Sequence, residues 1–216
     1  MEIITLYHGT KDNALQPSFE MGSPDRDYGA GFYTTLSLDL AKEWAWSSYA
    51  SADSAYVYSY QLDTVGLDIL DFTKIDSLHW AAEIFSNRRW NNSRLNEVVA
   101  DNMKKFVAKY KLDTSSIDVI IGYPADNCCF SYAEDFVSYR IFRETIESML
   151  QACNWGIEFC LKSKKALQQL YPTGKIEVGR RYFGRYLKRD ERVRLKCKSM
   201  RSTNPGTANR TVLDFI

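Results

Sequence analysis

The chain has 216 residues, of which 45% are hydrophobic and 14% aromatic, and its formal net charge at pH 7 is +1. Such a chain can bury one substantial core, and no stretch approaches the roughly 18 to 20 uninterrupted apolar residues that a membrane span needs, which argues against a membrane-embedded protein. The N-terminus MEIITLYHG has the pattern of a strand and not of an export signal, so we expect a cytoplasmic protein. Five cysteines lack the spacing of a disulfide framework or a zinc site, so we expect no metal.

The first predicted strand ends at a histidine. In IITLYHG the period-2 alternation places Ile4, Leu6 and His8 on one face of the strand. His8 therefore emerges where the strand ends, and Gly9 beside it allows a ligand to approach the backbone without a Cβ in the way. A single histidine at a strand end is more often a hydrogen-bonded structural residue than a catalytic one, so two interpretations stay open.

A second predicted strand follows in DYGAGFYTT, residues 27–35. Gly29, Gly31 and Tyr33 share one face of this strand, so the two glycines leave bare backbone beside the Tyr33 ring. We expect that a flat aromatic ligand fits there. The alternative is that the glycines form an ordinary turn before an aromatic strand.

The rest of the pattern predicts further strands and helices with no internal repeat. Strands are predicted at 55–63, 67–72, 117–122 and 156–161, and helices at 75–89, 93–111 and 143–152. Aromatic residues recur at helical spacing in the first two of these helices, and we interpret them as core contacts and not as a cofactor site. His79 is expected to be structural or exposed. The sequence thus predicts a mixed sheet-and-helix protein.

The predicted strand at 156–161 carries a carboxylate on a face of otherwise small residues. Glu158 shares this face with Gly156 and Cys160, which is an arrangement typical of a cleft. The alternative is a surface glutamate on a half-buried strand. We expect Cys160 to be a small buried residue, because no adjacent basic residue would activate its thiol. Further candidates for the lining of such a cleft are Asp126, Tyr132 and Arg140.

Two of these segments together resemble a known superfamily. LYHGT (residues 6–10), followed about twenty residues later by DYGAGFYTT, matches the pattern HG-Ser/Thr … Gly-x-Gly-Ile/Phe-Tyr of the ADP-ribosyltransferases that use a His-Tyr-Glu triad. Poly(ADP-ribose) polymerases and diphtheria toxin are of this type. The chain is more closely similar to a bacterial branch of unknown function, which is often encoded beside a small partner protein in toxin-antitoxin fashion. Tyr28 stands where this branch usually has Phe.

The resemblance continues downstream. IDVIIGYPADN (residues 117–127) and GIEFCLKSKKALQQL (residues 156–170) are similar to two further blocks of the same branch. The second block identifies Glu158 as the acid of the triad, a position at which many members of the branch carry Gln. Gly156 stands where the arginine-modifying relatives have a second acidic or amide residue, so the resemblance implies an acceptor other than arginine.

What the resemblance implies is an α+β protein with the ADP-ribosyltransferase fold over residues 1–178, with a β core split into two sheets and with flanking and inserted helices. NAD would be the substrate. Glu158, His8 and Tyr33 would be catalytic: Glu158 would stabilise the positive charge that develops as the bond to nicotinamide breaks, His8 would bind a ribose hydroxyl, and Tyr33 would stack on nicotinamide. The residues implied in NAD binding are His8, Gly9, Thr10, Tyr28, Gly31 and Tyr33.

Residues 179–216 form a predicted basic extension. From Tyr171 to the end there are 12 basic and 4 acidic residues, a net charge of +8, which leaves −7 for the first 170 residues. Aromatic residues are interleaved with these charges, which favours contact with phosphates and bases, and Arg180, Arg181 and Arg185 are the candidate contacts with an acceptor. The alternatives are an extension that folds back on the acidic body, or one that docks an acidic antitoxin.

The functional hypothesis is therefore an NAD-dependent ADP-ribosyltransferase that modifies a macromolecular acceptor, either protein or nucleic acid. As the toxin of a toxin-antitoxin or phage-defence module, it would be restrained by a small antitoxin protein. An NAD glycohydrolase is one alternative, and a catalytically silent relative that binds a nucleotide or nucleic acid is another. The presence of all three triad residues favours an enzyme.

Overall fold

Strands and helices are distributed along the whole chain. The computed structural model describes residues 2–18, 20, 22–47, 54–88, 97–125, 135–138, 140–146, 156–201 and 210–216. Its strands are β1 (Ile3–Thr10), β2 (Phe32–Thr35), β3 (Tyr56–Asp63), β4 (Ile69–Asp71), β5 (Val119–Gly122), β6 (Glu158–Leu161) and β7 (Leu170–Glu177). Its helices are α1 (Leu38–Trp44), α2 (Ser77–Asn87), α3 (Glu97–Tyr110), α4 (Lys164–Gln168) and α5 (Arg181–Arg201), and a 3-10 helix follows at Val212–Asp214.

The described strands form one seven-stranded sheet in the order β4-β5-β6-β2-β1-β3-β7. Neighbouring strands are antiparallel, except that β4 and β5 are parallel. The chain is thus an α+β protein, as predicted. β1 and β3 pair along all eight residues of each strand, whereas β1 and β2 share the single pair Tyr7↔Thr35. We call this junction the seam. The resemblance implies a β core split into two sheets. The structure instead has one sheet, whose two halves meet at the seam.

One face of the sheet carries a continuous apolar cluster. It includes Leu6 from β1, Phe32 from β2 and Phe159 from β6, with Ala166 of α4 packed on it. The predicted alternation in β1 is confirmed, because Leu6 lies in this cluster whereas Tyr7 packs on the opposite face. The alternation in β6 is confirmed in the same way by Phe159 and by Cys160, which lies in a cluster on the other face.

The opposite face of the sheet carries two separate clusters. The larger one lies under α2 and α3 and contains Trp80, Phe85 and Phe106, so these helix aromatics are core contacts as predicted. The smaller one lies under α1 and α5 and includes Ala41 and Tyr182. These two clusters belong to different halves of the sheet, so each half has its own helical cover.

Short polar side chains start three of the helices. The Ser37 hydroxyl accepts a hydrogen bond from the Leu40 N–H (3.2 Å) at the start of α1, and Ser163 does the same for α4. The Asp76 carboxylate accepts from the Leu78 N–H (2.9 Å) at the start of α2. Each of these bonds satisfies a backbone donor that has no partner inside the helix, which explains where the helices begin.

The C-terminal third contains the largest differences from the sequence prediction. β7 is not among the predicted strands, because Pro172 and Gly174 weaken a strand pattern; an edge strand tolerates both residues. α5 is a helix within the predicted basic extension, for which the sequence pattern indicates no secondary structure. Within the predicted helix at 143–152, residues 143–146 are helical and the rest lies outside the described residues.

The predicted extension at 179–216 packs against the core in the part that the structure describes. Val193 of α5 and the later residues Val212 and Phe215 belong to the larger helical cluster. The last apolar residues therefore pack back on the domain. In the same described ranges, the helices are all too short or too polar to cross a membrane.

Candidate active site

The seam of the sheet opens into a cavity. Beyond Tyr7, β1 continues to pair with β3, at Gly9↔Val57 among other positions, but it no longer pairs with β2. A cavity of about 540 Å³ occupies this region, which is a volume typical of small-molecule sites. Its lining comprises His8, Gly9, Thr10, Lys11, Gly22, Arg26, Asp27, Gly31, Phe32, Tyr33, Trp44, Ala45, Ser47, Arg88, Pro124, Glu158 and Tyr186.

His8 bridges the two halves of the sheet at the cavity wall. Its Nδ1 lies 2.6 Å from the Tyr33 carbonyl oxygen, and its ring stacks on Phe32 with ring centroids 4.6 Å apart. Since a carbonyl only accepts, Nδ1 carries the hydrogen and donates it. Burial lowers the pKa of His8, with a further contribution from Arg26, and this favours the neutral ring. The neutral ring then has a lone pair at Nε2, which can accept a hydrogen bond from a hydroxyl group.

Tyr33 is fixed through its hydroxyl group. The hydroxyl donates to the Gly29 carbonyl oxygen (2.6 Å) and accepts from the Tyr28 N–H (3.0 Å). Burial raises the pKa of Tyr33 well above its ordinary value, so the phenol stays neutral. The Arg26 guanidinium lies over the ring, 5.7 Å from its centroid. The ring is therefore a rigid surface at the cavity and not an acid or a base.

The glycines of the two motifs have packing roles that the sequence did not reveal. A Cβ at Gly9 would collide with the Ala41 carbonyl and lie 2.7 Å from the Ala45 N, so glycine allows α1 to cross β1. A Cβ at Gly31 would collide with the Cys160 Sγ. The two glycines predict open space next to Tyr33. At Gly31 this prediction is wrong, because β6 fills the space. Gly29 has φ +75°, a conformation that L side chains rarely adopt.

Glu158 is the buried acid of the cavity. It begins β6, pairs with Thr35 and Gly122 in the sheet, and is 6% exposed. Its Oε1 atom is buried and receives no hydrogen bond from any N–H or O–H group of the described residues. Burial raises the pKa of Glu158 well above 4.5, and the neighbouring Asp27 raises it further, while Arg88 and Arg26 oppose this shift.

Asp27 and Arg88 also line the cavity, although the sequence predicted no role for them. The Asp27 Oδ2 accepts a hydrogen bond from the Ala125 N–H (2.6 Å), and its Oδ1 forms an ion pair with Arg88. Arg88 also donates to the Ala125 carbonyl oxygen. Asp27 opens the segment DYGAGFYTT, so its place in the motif was the available signal, whereas nothing in the sequence around Arg88 distinguishes it.

Most of the predicted NAD-binding residues line the cavity, but Tyr28 does not. His8, Gly9, Thr10, Gly31 and Tyr33 are all in the lining. In contrast, the side chain of Tyr28 is fully buried in the larger helical cluster. Its hydroxyl donates to the Tyr123 carbonyl oxygen (2.8 Å) and accepts from the Trp80 Nε1–H (3.0 Å), so it stabilises the wall of the site from the core side.

Other candidate residues lie away from the cavity or belong to the core. Arg140 is exposed and pairs with Asp135, and it is not part of the lining, whereas Asp126 and Tyr132 lie outside the described residues. Cys160 is buried as predicted, and burial raises the pKa of its thiol to about 12. His79 is structural as predicted, because its Nδ1 lies 2.7 Å from the Tyr110 carbonyl oxygen.

The basic helix α5 is docked on α1. Arg189 forms an ion pair with Glu43, and the Arg185 Nη1 lies 4.0 Å from the Asp39 Oδ2. Arg180, Arg181 and Arg185, the predicted acceptor contacts, are exposed and outside the cavity lining. Tyr186 of the same helix does line the cavity. This part of the predicted extension is therefore folded back on acidic residues of the domain, and it completes one wall of the site.

Among the described residues, no group of three or more His, Cys, Asp or Glu side chains is arranged to hold a metal ion.

Comparisons with known proteins identify a family without a known activity. No curated protein matches the chain, and no solved structure does. A family described as "Protein of unknown function (DUF3990)" matches residues 4–171, a span that contains β2 to β6, all of β1 except Ile3, and the cavity residues that these strands supply. Because this match covers well over half of the chain, the protein belongs to the DUF3990 family.

Proposed function

We propose that this protein is an NAD-dependent ADP-ribosyltransferase. One observation carries the proposal: His8, Tyr33 and Glu158 lie on three different strands and line one cavity. The three residues are far apart in the sequence, so their proximity is a property of the fold and not of chain neighbours. Cleavage of the nicotinamide–ribose bond needs a held ribose, a bound leaving group and a nearby negative charge. A hydrogen-bond acceptor, an aromatic surface and a carboxyl group can meet these three needs.

Each residue has one role in the proposed reaction. The lone pair at the His8 Nε2 accepts a hydrogen bond from a ribose hydroxyl, and the Tyr33 ring stacks on the nicotinamide ring. The bond from the ribose C1′ to the nicotinamide nitrogen breaks, and its electron pair leaves with nicotinamide. The Glu158 carboxylate stabilises the positive charge at C1′ until an acceptor nucleophile forms the new bond and releases its proton.

The charges at the cavity fit a dinucleotide with a diphosphate. Lys11, Arg26 and Arg88 supply positive charge to the lining. Arg88 is partly neutralised by Asp27, so Lys11 and Arg26 are the better candidates for contact with the diphosphate. The weakly joined halves of the sheet support the finer assignment to the ADP-ribosyltransferase fold, in which the β core is split.

The proposed acceptor is a macromolecule. Arg180, Arg181 and Arg185 lie on the exposed surface of the segment that leads to Tyr186 at the cavity, so they can contact a protein or nucleic acid that reaches over the rim. We infer that the chain acts as the toxin of a toxin-antitoxin or phage-defence module. A small antitoxin protein would then restrain it.

The test is the release of nicotinamide from NAD by the purified protein, with and without added RNA, DNA or cell lysate. We expect Glu158→Gln to reduce release at least about 100-fold, because it removes the charge that stabilises the transition state. Tyr33→Ala should raise KM and reduce the rate. The matched controls are Glu177→Gln and Tyr171→Ala, which alter exposed side chains of β7, and both should retain wild-type activity.

The outcomes separate the proposal from its alternatives. If release depends on Glu158 and rises with one acceptor pool, that pool contains the substrate of a transferase. If release depends on Glu158 but no pool increases it, the protein is an NAD glycohydrolase. If nicotinamide is not released under any condition and NAD does not raise the melting temperature, the NAD-dependent function is wrong.

A further inference from the structure

Two buried carboxyl groups meet in the cavity. Asp27 and Glu158 are 5% and 6% exposed, and both line the cavity. The charge of Asp27 raises the pKa of Glu158, so the two groups influence each other. Two carboxylates in one buried site repel each other, which favours the state in which one of them carries a proton.

The surroundings of the two carboxyl groups decide which one carries this proton. Asp27 accepts the Ala125 N–H and pairs with Arg88, and both interactions favour its ionised form. Glu158 has neither, since its buried Oε1 receives no hydrogen bond from the described residues. The proton therefore resides on Glu158.

The other groups around the pair do not change this assignment. Burial raises the pKa of Tyr28, Tyr33 and Cys160 and lowers that of His8, so all four are neutral. The charges of Arg26, before β2, and Arg88, after α2, act on Glu158, and the charge of Lys162, after β6, acts on Cys160. The Lys162 ammonium donates to the Tyr28 carbonyl oxygen, which holds it at the backbone before β2.

We propose that Asp27, held by Arg88, is a positioning residue that keeps Glu158 protonated while the cavity is empty, and that a cationic ring entering the cavity releases this proton. The inference rests on the proposed function for its role in catalysis. The nicotinamide ring of NAD carries one positive charge. When it binds, the O–H bond of Glu158 breaks, the proton leaves to solvent, and the resulting carboxylate faces the ring. The positive charge of the ring thus replaces that of the proton, and Glu158 becomes the carboxylate that the reaction needs.

The first experiment measures the protonation of Glu158 in the ligand-free protein by ¹³C NMR of glutamate carboxyl groups, with Glu158→Gln to assign the signal. We expect a titration midpoint well above 4.5 in the wild type. Asp27→Asn should lower this midpoint by at least about one pH unit, a tenfold change in the protonation equilibrium, because it removes a negative charge. Arg88→Gln should raise it. Asp25→Asn, the same change in the same loop at a residue outside the cavity lining, should leave it unchanged.

Asp27→Asn and Arg88→Gln are expected to shift the Glu158 midpoint in opposite directions, and this makes the result decisive. A purely structural role of Asp27 would not move the midpoint in opposite directions in Asp27→Asn and Arg88→Gln. If one of them does not fold, the sign of the other decides. A wild-type midpoint near 4.5, or a midpoint that Asp27→Asn leaves unchanged or raises, overturns the inference.

The second experiment measures proton release on binding, by calorimetry in two buffers with different ionisation enthalpies. The probes are carba-NAD, a non-cleavable analogue with the cationic ring, and NADH, in which the ring is neutral. We expect carba-NAD to release close to one proton from the wild type and much less from Asp27→Asn, and NADH to release none. Binding of carba-NAD without proton release overturns the inference. If carba-NAD does not bind while the NMR midpoints behave as expected, the proposed function fails and the role of Asp27 in holding the proton stands.

Discussion

The two halves of the sheet differ in strand length and in chemistry. β1, β3 and β7 have eight residues each and pair over most of their length, and β1 supplies His8, Gly9 and Thr10 to the cavity. β2, β4, β5 and β6 have three or four residues each, and this half holds the buried carboxyl groups of Asp27 and Glu158. The long-stranded half thus provides the histidine and one edge of the cavity, whereas the short strands and their loops provide the carboxyl groups.

The largest effect is expected on the long-stranded half, at Gly9. In Gly9→Ala the new Cβ collides with the backbone of α1, which cannot move away as a flexible side chain would. We expect a loss of about 3 kcal/mol in the free energy of unfolding, measured by urea denaturation. Gly174→Ala in β7 is the matched control, because no atom beyond its two neighbours in the chain lies within 4 Å of the position that its Cβ would take. It should change stability by less than about 0.5 kcal/mol. Equal losses in the two variants would contradict this account of Gly9.

A smaller effect is expected on the short-stranded half, at Asp118. This buried carboxylate precedes β5 and accepts hydrogen bonds from the Asp68 N–H (3.0 Å), the Lys165 ammonium (3.0 Å) and the Ser163 hydroxyl, so it connects β4, β5 and α4. Asp118→Asn should cost about 2 kcal/mol of unfolding free energy at pH 7. The exposed Asp68→Asn is the control with the same change of charge, and it should be nearly neutral.

The pH dependence of the Asp118→Asn effect has a defined sign. Although burial raises the pKa of Asp118, hydrogen bonds from Ser163, Asp68 and Lys165 lower it below 3.8 overall. A carboxyl group with a lowered pKa in the folded state stabilises the protein above its ordinary pKa and loses this contribution as the pH falls through the folded-state value. The difference between the wild type and Asp118→Asn should therefore be constant from pH 7 to about pH 5 and shrink below 3.8. A difference that grows on acidification would contradict the assigned contacts.

At the seam itself, His8 should make stability fall on mild acidification. Burial lowers its pKa from 6.5, so below that pH the unfolded chain binds a proton more readily than the folded protein does. The unfolding free energy of the wild type should decrease as the pH falls below 6.5, by at most about 1.4 kcal/mol per pH unit for one proton. His8→Gln should show a shallower decrease over the same range. Identical slopes would mean that His8 is not a buried neutral ring.

The smallest effect is expected on the surface of α5. The Arg185–Asp39 pair is long, at 4.0 Å, and both side chains are more than half exposed. Arg185→Ala should therefore change thermal stability by less than about 0.5 kcal/mol. Arg189→Ala removes the partner of Glu43, whose side chain is 12% exposed, and should cost more. If both substitutions are neutral, α5 is not held on the domain by these ion pairs.

The sequence predicted the cavity residues better than their surroundings. The alternation in β1 and β6 located His8 and Glu158, because period-2 patterns report directly on the two faces of a strand. Asp27 was given no role although it opens the second motif, and Arg88 could not be identified, since the importance of both arises from a contact between loops distant in the chain. The buried position of Tyr28 was missed for the same reason: whether an aromatic side chain next to a glycine points to a ligand or to the core depends on partners such as Trp80.

The order in which the strands enter the sheet has a consequence for folding. Along the chain, β1 lies in one half, β2 in the other, β3 in the first again, β4 to β6 in the second, and β7 in the first. The backbone thus crosses between the halves four times in the described strands, although the halves share one residue pair at the seam. Neither half is encoded by a continuous stretch of sequence, so neither can form before distant segments have met. We therefore expect one cooperative unfolding transition, and slow folding for a domain of this size.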